Sequence, residues 1–376
     1  MDFSYSEEQQ LIKDSVDRFV REEYELEKRR KLVASELGYS EKNWSKMAEL
    51  GWLGVSLPEE YGGFGGGPVE TMIIMESFGS GLVVEPYFAT IVLGANAVLK
   101  GGSEDLKKEV LPAIAEGKAK LAFAYAEPQA RFNLADVEVS AKQDGDAYVL
   151  NGHKAVVLNA ASADYLVVSA RTSGASRDAK GITVFLVDAS ASGISRRDYP
   201  TVDGLRASEV EFADVKVDAS RVLGAVDEGL ALVEEVVDHG IAALCAEAVG
   251  CMQVLQDATN EYLKTRKQFG VPIGKFQVLQ HRMVDMFMET EQSRSMAYLA
   301  TLKLDEDAAE RTKAASAAKV QIGKGGRFVG QQSVQLHGGM GMTDELNVGH
   351  YFKRLTMIDT MFGNQDHHLK RYAAIA

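Results

Sequence analysis

The spacing of hydrophobic residues changes twice along this chain of 376 residues. Apolar side chains recur at helical spacing up to about residue 118, alternate with polar ones over 119–224, and then return to helical spacing. A segment patterned for one period cannot bury a single face in the other structure, so these ranges fold differently. We therefore predict an α+β protein with an N-terminal all-helical domain (1–118), a middle antiparallel β-barrel or β-sandwich (119–224) and a C-terminal α-helical bundle (225–376).

Local signals indicate where the helices begin and end. Ser6, with Gln9 three residues later, forms a capping-box pattern that is typical of a helix start. Ser40 begins a second amphipathic stretch that ends at Gly51. The charged run over 21–31 is typical of a solvated helix face. Further helices are predicted over 68–78, 86–99, 104–114, 228–262, 278–304 and 310–334.

Glycine dipeptides divide the middle range into predicted hairpins. Asp144-Gly145 and Asn151-Gly152 are both typical of two-residue β-turns, because Gly tolerates the positive φ that these turns require. The Asn-Gly pair would thus separate two short strands. Strands are predicted over 121–125, 137–141, 148–150, 155–158, 166–168, 182–187 and 210–217.

Charge and composition exclude several functional classes. The chain carries 41 basic and 54 acidic residues, a net charge of −13, without a basic run interleaved with aromatic residues, so we expect neither nucleic acid nor a membrane as a partner. No apolar run approaches membrane-spanning length, and no basic-plus-apolar leader is evident. Cys245 and Cys251 are spaced for neither a metal site nor a redox pair, which indicates buried thiols in a cytoplasmic protein.

One C-terminal constellation combines groups that suit a phosphorylated cofactor. Arg266 offers a planar, permanently charged fork for a pyrophosphate, and Gln268 and Gln335 offer amides. Gly338 and Gly339 let backbone N–H groups approach a phosphate or a ribose closely. The set as a whole indicates a nucleotide-type cofactor.

These motifs resemble those of the acyl-CoA dehydrogenase family. They follow the family's order along nearly the whole chain: Glu49–Gly63, Asn151–Lys154, Asn159 with Ala163-Asp164, Arg266–Gln277 and Gln335–Gly341. The resemblance implies an FAD enzyme, usually a tetramer, that oxidises the Cα–Cβ bond of an acyl-CoA thioester by α-proton abstraction and hydride transfer. It also implies electron-transfer flavoprotein as the acceptor.

In this family each FAD lies at a subunit interface, so each chain contributes to two flavin sites. The resemblance assigns a matched donated half to Arg266, Gln268, Phe269, Ile273, Phe276, Gln335, Gly338 and Gly339. The chain's own half departs from the family pattern. Gln129–Asn133 replaces a Gly-rich, Ser-containing pyrophosphate loop. Val156 and Leu158 replace a common Trp and Thr, as expected if that strand face packs against protein rather than flavin.

The two positions at which family members carry the catalytic base hold Phe362 and Gly240. Neither residue can accept a proton, so no catalytic residue is assigned to this chain. The resemblance therefore implies a flavin-completing, base-lacking subunit that works beside a homologous catalytic partner. An α2β2 complex is expected, similar to pimeloyl-CoA dehydrogenase or to steroid side-chain acyl-CoA dehydrogenases.

Two alternatives stay open. A homomeric dehydrogenase could use a displaced base at Asp238, His239 or Asp366. A non-catalytic scaffolding protein would bind no flavin. We expect His367 and His368 to be structural, and we predict no metal site. His337 is expected to be a loop residue whose backbone matters more than its ring.

Overall fold

The computed structural model of this protein describes residues 4–375. The helices are α1 (Glu7–Glu23), α2 (Leu26–Ala34), α3 (Glu41–Glu49), α4 (Pro68–Gly81), α5 (Asn96–Gly101), α6 (Glu104–Ala115), α7 (Leu230–Thr265), α8 (Gln277–Leu302), α9 (Ala308–His337), α10 (Val348–Thr360) and α11 (Gln365–Ala373), with a π-helical segment at Phe88–Ala95. Each predicted helix is present, and most extend by a few residues beyond the predicted bounds.

The strands are β1 (Leu121–Ala124), β2 (Ser140–Asp144), β3 (Ala147–Leu158), β4 (Tyr165–Arg171), β5 (Ile182–Asp188), β6 (Ile194–Pro200), β7 (Arg206–Asp218), β8 (Val222–Leu223), β9 (Lys267–Gln268) and β10 (Val271–Pro272). The chain groups into two compact units. One contains α1, Pro68–Val83 and the chain from Ile241 onward; the other contains Leu32–Gly67 and Val84–Gly240.

In the helical unit, α8 packs on α9, and α9 also packs against α10 and α11. The capping box at Ser6 and Gln9 is confirmed, since each side chain accepts a hydrogen bond from the other residue's backbone N–H. Glycines allow α4 and α7 to approach closely: a Cβ added at Gly79 would lie 2.0 Å from the carbonyl oxygen of Glu247. Any larger residue there would separate the two helices.

The interpretation of 21–31 as one solvated helix face was wrong. α1 ends at Glu23 and α2 begins at Leu26, so the run spans two helices. Arg29 is only 4% exposed, and its Nε donates a hydrogen bond to the carbonyl oxygen of Leu82 at 2.8 Å. A buried guanidinium needs such acceptors, and sequence periodicity does not reveal them.

The long helix α7 also departs from the sequence expectation. By length and composition it would suffice to cross a membrane, although no run of that kind was expected. However, 72% of its most apolar stretch is buried inside the protein, which is typical of a core helix. Cys245 and Cys251 both lie on α7 as free, buried thiols, as predicted.

The sheet of the other unit has the strand order β6-β7-β3-β2-β4-β5-β8, with β1 paired to β4. Its core contains the Tyr148 and Phe185 rings, whose centroids lie 5.0 Å apart. The expectation of a wholly antiparallel sheet was wrong, because β1 and β2 each run parallel to β4. Alternation of apolar and polar residues predicts which face is buried but not the direction of a neighbouring strand.

The Asn151-Gly152 turn was also predicted wrongly. β3 continues through this dipeptide, and its register against β7 shifts between Leu150 and Gly152, which marks a β-bulge. Gly152 has a φ of 141°, and a Cβ there would lie 2.8 Å from the Cα of Val139. The glycine is therefore required because the backbone of β3 passes close to Val139 at this position. The Asp144-Gly145 turn joins β2 to β3 as predicted.

Candidate functional site: two flavin-related segments

A short hairpin follows α7 and carries most of the predicted cofactor ligands. β9 and β10 pair antiparallel across Phe269 and Gly270, whose φ angles are 52° and 80°. Two successive positive φ values match the type I′ turn of two-residue hairpins. The backbone N–H of Ile273 donates to the carbonyl oxygen of Arg266 at 2.9 Å and so closes the base of the hairpin.

The hairpin presents its side chains to the outside. Arg266 and Gln268 are exposed, and neither side chain has a hydrogen-bond partner among residues 4–375. Phe269 is 92% exposed, and its ring meets the edge of the Phe276 ring at 6.1 Å. A bulky residue at positive φ is uncommon, and so is a phenyl ring left almost wholly in water. This arrangement offers a cation, an amide and an aromatic face to a ligand.

The second segment lies at the end of α9. Gly338 has a φ of 60°, and its N–H donates to the carbonyl oxygen of Gln335. Gln335 is exposed, and its side chain also has no partner within the described chain. A Cβ added at Gly338 or Gly339 would meet nothing within 4 Å among the described residues beyond their chain neighbours. The backbone here is open to close approach by a ligand, as FAD binding requires.

A ring contact brings the two segments together. The ring of Tyr262, one helical turn before Arg266, lies 4.4 Å from the imidazole of His337 with an interplanar angle of 32°. His337 is the last residue of α9 and is 5% exposed, so its expected placement in a loop was wrong. Sequence reasoning missed Tyr262, although its position one turn before Arg266 gives it the same helix face.

The eight predicted flavin ligands thus all lie in the helical unit. Those from Arg266 to Phe276 lie on the hairpin and the turn that follows it, and the others lie at the end of α9. Their assignment to FAD stays a prediction, but their exposure, their unused polar groups and the open glycines fit that cofactor.

The loop of the other unit is built differently, around Glu127. Its carboxylate accepts hydrogen bonds from the Lys154 ammonium at 2.7 Å, the Gln129 side chain at 2.8 Å and the backbone N–H of Glu138 at 2.8 Å. Lys154 is fully buried. Burial alone would raise the pKa of Glu127, but the Lys154 ammonium and the other donors hold that pKa below its usual value. The carboxylate is therefore an internal anchor for the loop.

The backbone amides that follow this loop, over 135–139, are already used. The backbone N–H groups of all residues from 135 to 139 donate to protein acceptors, among them the Glu127 carboxylate and the Asn133 side chain. The guanidinium of Arg171 fixes the same region, since it donates to the carbonyl oxygens of Ala135 and Ser176 at 2.7 Å each. Arg131, at a φ of 50°, takes a left-handed position that a glycine would fill without strain. The 135–139 amides are therefore not available to a pyrophosphate.

The strand face after Lys154 contains Val156 and Leu158. The register of β3 shifts again between Lys154 and Val157, and Val156 adopts a φ of 53° within this second bulge. Val156 is 49% exposed and Leu158 is half-buried, while Val157 between them is 1% exposed in the core. Both residues thus lie outside the buried core, and the packing of this face against protein stays a prediction.

The first expected base position, Phe362, lies in a firmly held turn between α10 and α11. Phe362 is 6% exposed, with a φ of 57°. Its carbonyl oxygen lies 3.1 Å from His368 Nε2, and Lys319 Nζ donates to the carbonyl oxygens of Asp359 and Gly363 at 3.0 and 2.8 Å. Burial lowers the pKa of His368 to about 2 and that of Lys319 to about 8. Sequence reasoning missed Lys319, because it lies in a run of small helical residues far along the chain.

The other candidate bases have different surroundings. Gly240 and Asp238 are buried on α7, the latter with 0% exposure. Asp366 is exposed in the first turn of α11, where the helix dipole stabilises a carboxylate. His368 bonds to backbone and is structural, as expected. Within the described residues, no cluster of His, Cys, Asp and Glu could hold a metal ion.

A helical unit that offers an open cradle for a phosphorylated cofactor, in a chain that also has a β-sheet unit, fits the class of flavin-dependent oxidoreductases. Comparison with known families agrees: residues 6–118, 122–215 and 227–376 match the N-terminal, middle and C-terminal domains of acyl-CoA dehydrogenases. The chain belongs to the acyl-CoA dehydrogenase family. Its family reaction is the FAD-dependent oxidation of a CH–CH bond in an acyl-CoA.

Relatives and solved structures extend this comparison. The probable acyl-CoA dehydrogenase YngJ of Bacillus subtilis is 33% identical over 93% of this chain and 92% of its own length. Subunit CarC of the caffeyl-CoA reductase-Etf complex of Acetobacterium woodii is 32% identical over 82% of each chain. A chain of the ChsE4-ChsE5 complex of Mycobacterium tuberculosis is similar in structure, with a TM-score of 0.90 and 27% identity over 100% of this chain and 98% of that one.

Proposed function

We propose that this chain is the flavin-completing, base-lacking subunit of a heteromeric acyl-CoA dehydrogenase. The contrast between the segments that carry the predicted flavin ligands and the region around Glu127 carries the proposal. The Arg266 hairpin and the Gly338-Gly339 turn leave polar side chains and backbone open to a ligand, whereas the 135–139 amides are bonded internally. We call the Arg266 hairpin with the Gly338-Gly339 turn the open half, and the loop around Glu127 the closed half. A chain with one half of each kind completes a flavin site on another subunit and forms no whole site of its own.

The chemistry at the expected base positions supports the same assignment. Oxidation of an acyl-CoA requires a base for the α-proton, and neither Phe362 nor Gly240 carries a proton acceptor. FAD, when bound, accepts the hydride from the β-carbon. In this chain Arg266 would pair with the pyrophosphate, the Gln268 and Gln335 amides would orient the cofactor, and the partner would supply the glutamate.

A partner subunit also accounts for apolar residues on the outside of α8. Val284, Phe287 and Met288 are 56%, 51% and 50% exposed, at spacings that place them on one helix face. Exposed apolar patches of this kind mark interfaces. Similarity to a chain of the ChsE4-ChsE5 complex supports a homologous partner, and similarity to CarC of a reductase-Etf complex supports electron-transfer flavoprotein as redox partner. The α2β2 composition and the cytoplasmic location belong to the same proposal.

A second candidate is a homomeric dehydrogenase with a displaced base. The exposure of Asp366 favours this alternative, because a substrate could reach its carboxylate from solvent. Asp238 is weaker in this role, since its side chain is completely buried.

Purification of the tagged chain tests these alternatives. The chain is expressed alone, and in parallel it is recovered from the cells that make it together with bound proteins. We expect little flavin and no acyl-CoA oxidation from the chain alone, and yellow flavin with a homologous subunit in the recovered complex. Stoichiometric flavin with turnover in the chain alone would favour the homomeric enzyme. Absence of flavin from both preparations would favour the flavin-free scaffold.

A further inference from the structure

Two rings join the segments that carry the predicted flavin ligands. Tyr262 belongs to α7 and His337 to α9, and their ring centroids lie 4.4 Å apart. The carbonyl oxygen of Tyr262 accepts the backbone N–H of Arg266 at 2.8 Å. His337 directly precedes Gly338. Each ring is therefore attached, through one turn of backbone or less, to one of the two segments.

The orientation of the imidazole is fixed. His337 Nδ1 lies 2.8 Å from the carbonyl oxygen of Ser333, which can only accept, so Nδ1 carries the hydrogen. Burial lowers the pKa of His337, and the ring is neutral at physiological pH. A neutral ring held by one hydrogen bond and one ring contact has little rotational freedom. Tyr262 is only half-buried, so its ring does not serve simply to fill the core.

We propose that Tyr262 and His337 are positioning residues that set the distance between the Arg266 hairpin and the Gly338-Gly339 turn, so that both reach the same FAD pyrophosphate. The proposal rests on the proposed function of these segments. Cofactor ligands on two separate segments must be held within about half an ångström of the productive geometry. Rigid neighbouring residues fix these positions better than the ligands do themselves. Contact between two rings is attractive beyond the area that it buries, so the pair favours one relative position of the two helix ends.

A double-mutant cycle tests the pair in the complex recovered with its partner. Tyr262→Leu and His337→Leu should each raise the Kd of FAD about tenfold, and the double variant should be no worse than either single one, because the pair acts as a unit. Tyr262→Phe should retain the wild-type Kd, since the contact uses the ring and not the hydroxyl. Additive losses, or an unchanged Kd in all variants, would overturn the proposal.

A control separates positioning from general stability. The rings of Phe19 and Tyr24 lie 6.1 Å apart in the same helical unit, in and just after α1, which packs against α4. Phe19→Leu should lower the Tm but leave the Kd of FAD unchanged. If the Tyr262→Leu variant lowers the Tm to the same degree with no effect on FAD, its role is structural only.

Hydrogen exchange on the chain without flavin tests the coupling of the two segments independently of the proposed function. Tyr262→Leu should speed amide exchange both in 266–276 and in 335–342, because loss of either ring releases both segments. Faster exchange in 266–276 alone would overturn the coupling. A wild-type complex that binds no FAD would instead refute the proposed function, and the exchange result would still decide whether the rings couple the segments. Should Tyr262→Leu not fold, His337→Leu is measured in its place with His337→Phe as the ring-retaining control.

Discussion

The Arg266 hairpin and the Glu127 loop both place charged side chains beside a turn, but they use their hydrogen-bonding groups in opposite ways. In the hairpin, the Arg266 and Gln268 side chains have no partner among the described residues, and the Phe269 ring lies in solvent. In the loop, the Glu127 carboxylate and the 135–139 amides are bonded within the protein. Unused donors indicate a surface shaped for a ligand, whereas satisfied donors indicate a surface shaped for the fold.

Under the proposed function, this difference means that internal hydrogen bonds close the chain's own half of the flavin site. In this segment Lys154 donates to the Glu127 carboxylate and Arg171 donates to the carbonyl oxygen of Ala135. Its donors would have to break existing hydrogen bonds before they could bind a phosphate. The comparison therefore predicts that substitutions in the two regions affect different properties of the protein.

The largest expected effect concerns proton abstraction. If the proposed partner supplies the base, substitution of its catalytic glutamate by glutamine should slow flavin reduction by acyl-CoA about 10²–10⁴-fold while FAD stays bound. Asp238→Asn, His239→Gln and Asp366→Asn in this chain should each leave that rate within a few-fold. Stopped-flow flavin reduction measures both. A loss of about a hundredfold in any of the three variants would assign the base to this chain.

The next effect concerns the stability of the closed loop. Lys154→Met should lower the free energy of unfolding by about 3–5 kcal/mol, because it leaves the buried Glu127 carboxylate without its charge partner. The Kd of FAD in the complex should not change, since the loop belongs to the closed half. Urea unfolding and FAD titration provide the two measurements. Lys216→Met is the control: Lys216 is 72% exposed and pairs with Asp144 at 3.3 Å, so its loss should cost less than about 1 kcal/mol.

Two exposed arginines compare the segments directly. Arg266→Ala should weaken FAD binding by about 1.5–3 kcal/mol, or roughly tenfold or more, because a charge-assisted donor to phosphate is lost. Arg131→Ala removes a similarly exposed arginine beside the closed loop and should leave the Kd of FAD unchanged. Arg266→Lys should restore affinity only in part, since a lysine keeps the charge without the planar fork. Equal losses from Arg266→Ala and Arg131→Ala would mean that both halves bind flavin.

Sequence reasoning predicted the helix–strand–helix order because it follows from hydrophobic period alone. It could not separate Asp144-Gly145, which is a turn, from Asn151-Gly152, which is a bulge inside β3. The two dipeptides have the same local preference, and only the distance from Gly152 to Val139 distinguishes them. β6 was missed because an edge strand rich in Ser, Arg and Asp lacks the alternation of a half-buried strand.

The predicted site shows the same limit. Arg266, Gln335 and the two glycines could be found from their types and spacing. The contribution of each depends on its own side chain or, for the glycines, on the absence of a side chain. Tyr262 and Lys319 could not, because their roles depend on partners 75 and 44 residues away along the chain: His337 for the ring contact and Gly363 for the hydrogen bond. Contacts of that separation become visible only in the folded structure.

The smallest effect concerns the turn at Phe362, a second closed region that can be compared with the open hairpin. Burial, together with the positive charges of Lys319 and its neighbours, lowers the pKa of His368 to about 2, against about 6.5 in the unfolded chain. Below pH 6.5 the unfolded chain therefore binds a proton that the folded protein does not. Stability should fall as the pH decreases from 6.5 towards 2, with a slope from this residue of at most about 1.4 kcal/mol per pH unit.

His368→Gln should remove this contribution, while its amide donor can still reach the carbonyl oxygen of Phe362. The free energy of unfolding, measured in urea between pH 6 and pH 5, should then depend less on pH by the equivalent of about one proton. His281→Gln, at an exposed position on α8, is the matched control for a His-to-Gln substitution as such. Neither variant should change the Kd of FAD, because the predicted flavin ligands of the open half lie on other turns. If His368→Gln kept the wild-type slope, the imidazole would be protonated in the folded protein, and the turn at Phe362 would be open to water rather than closed.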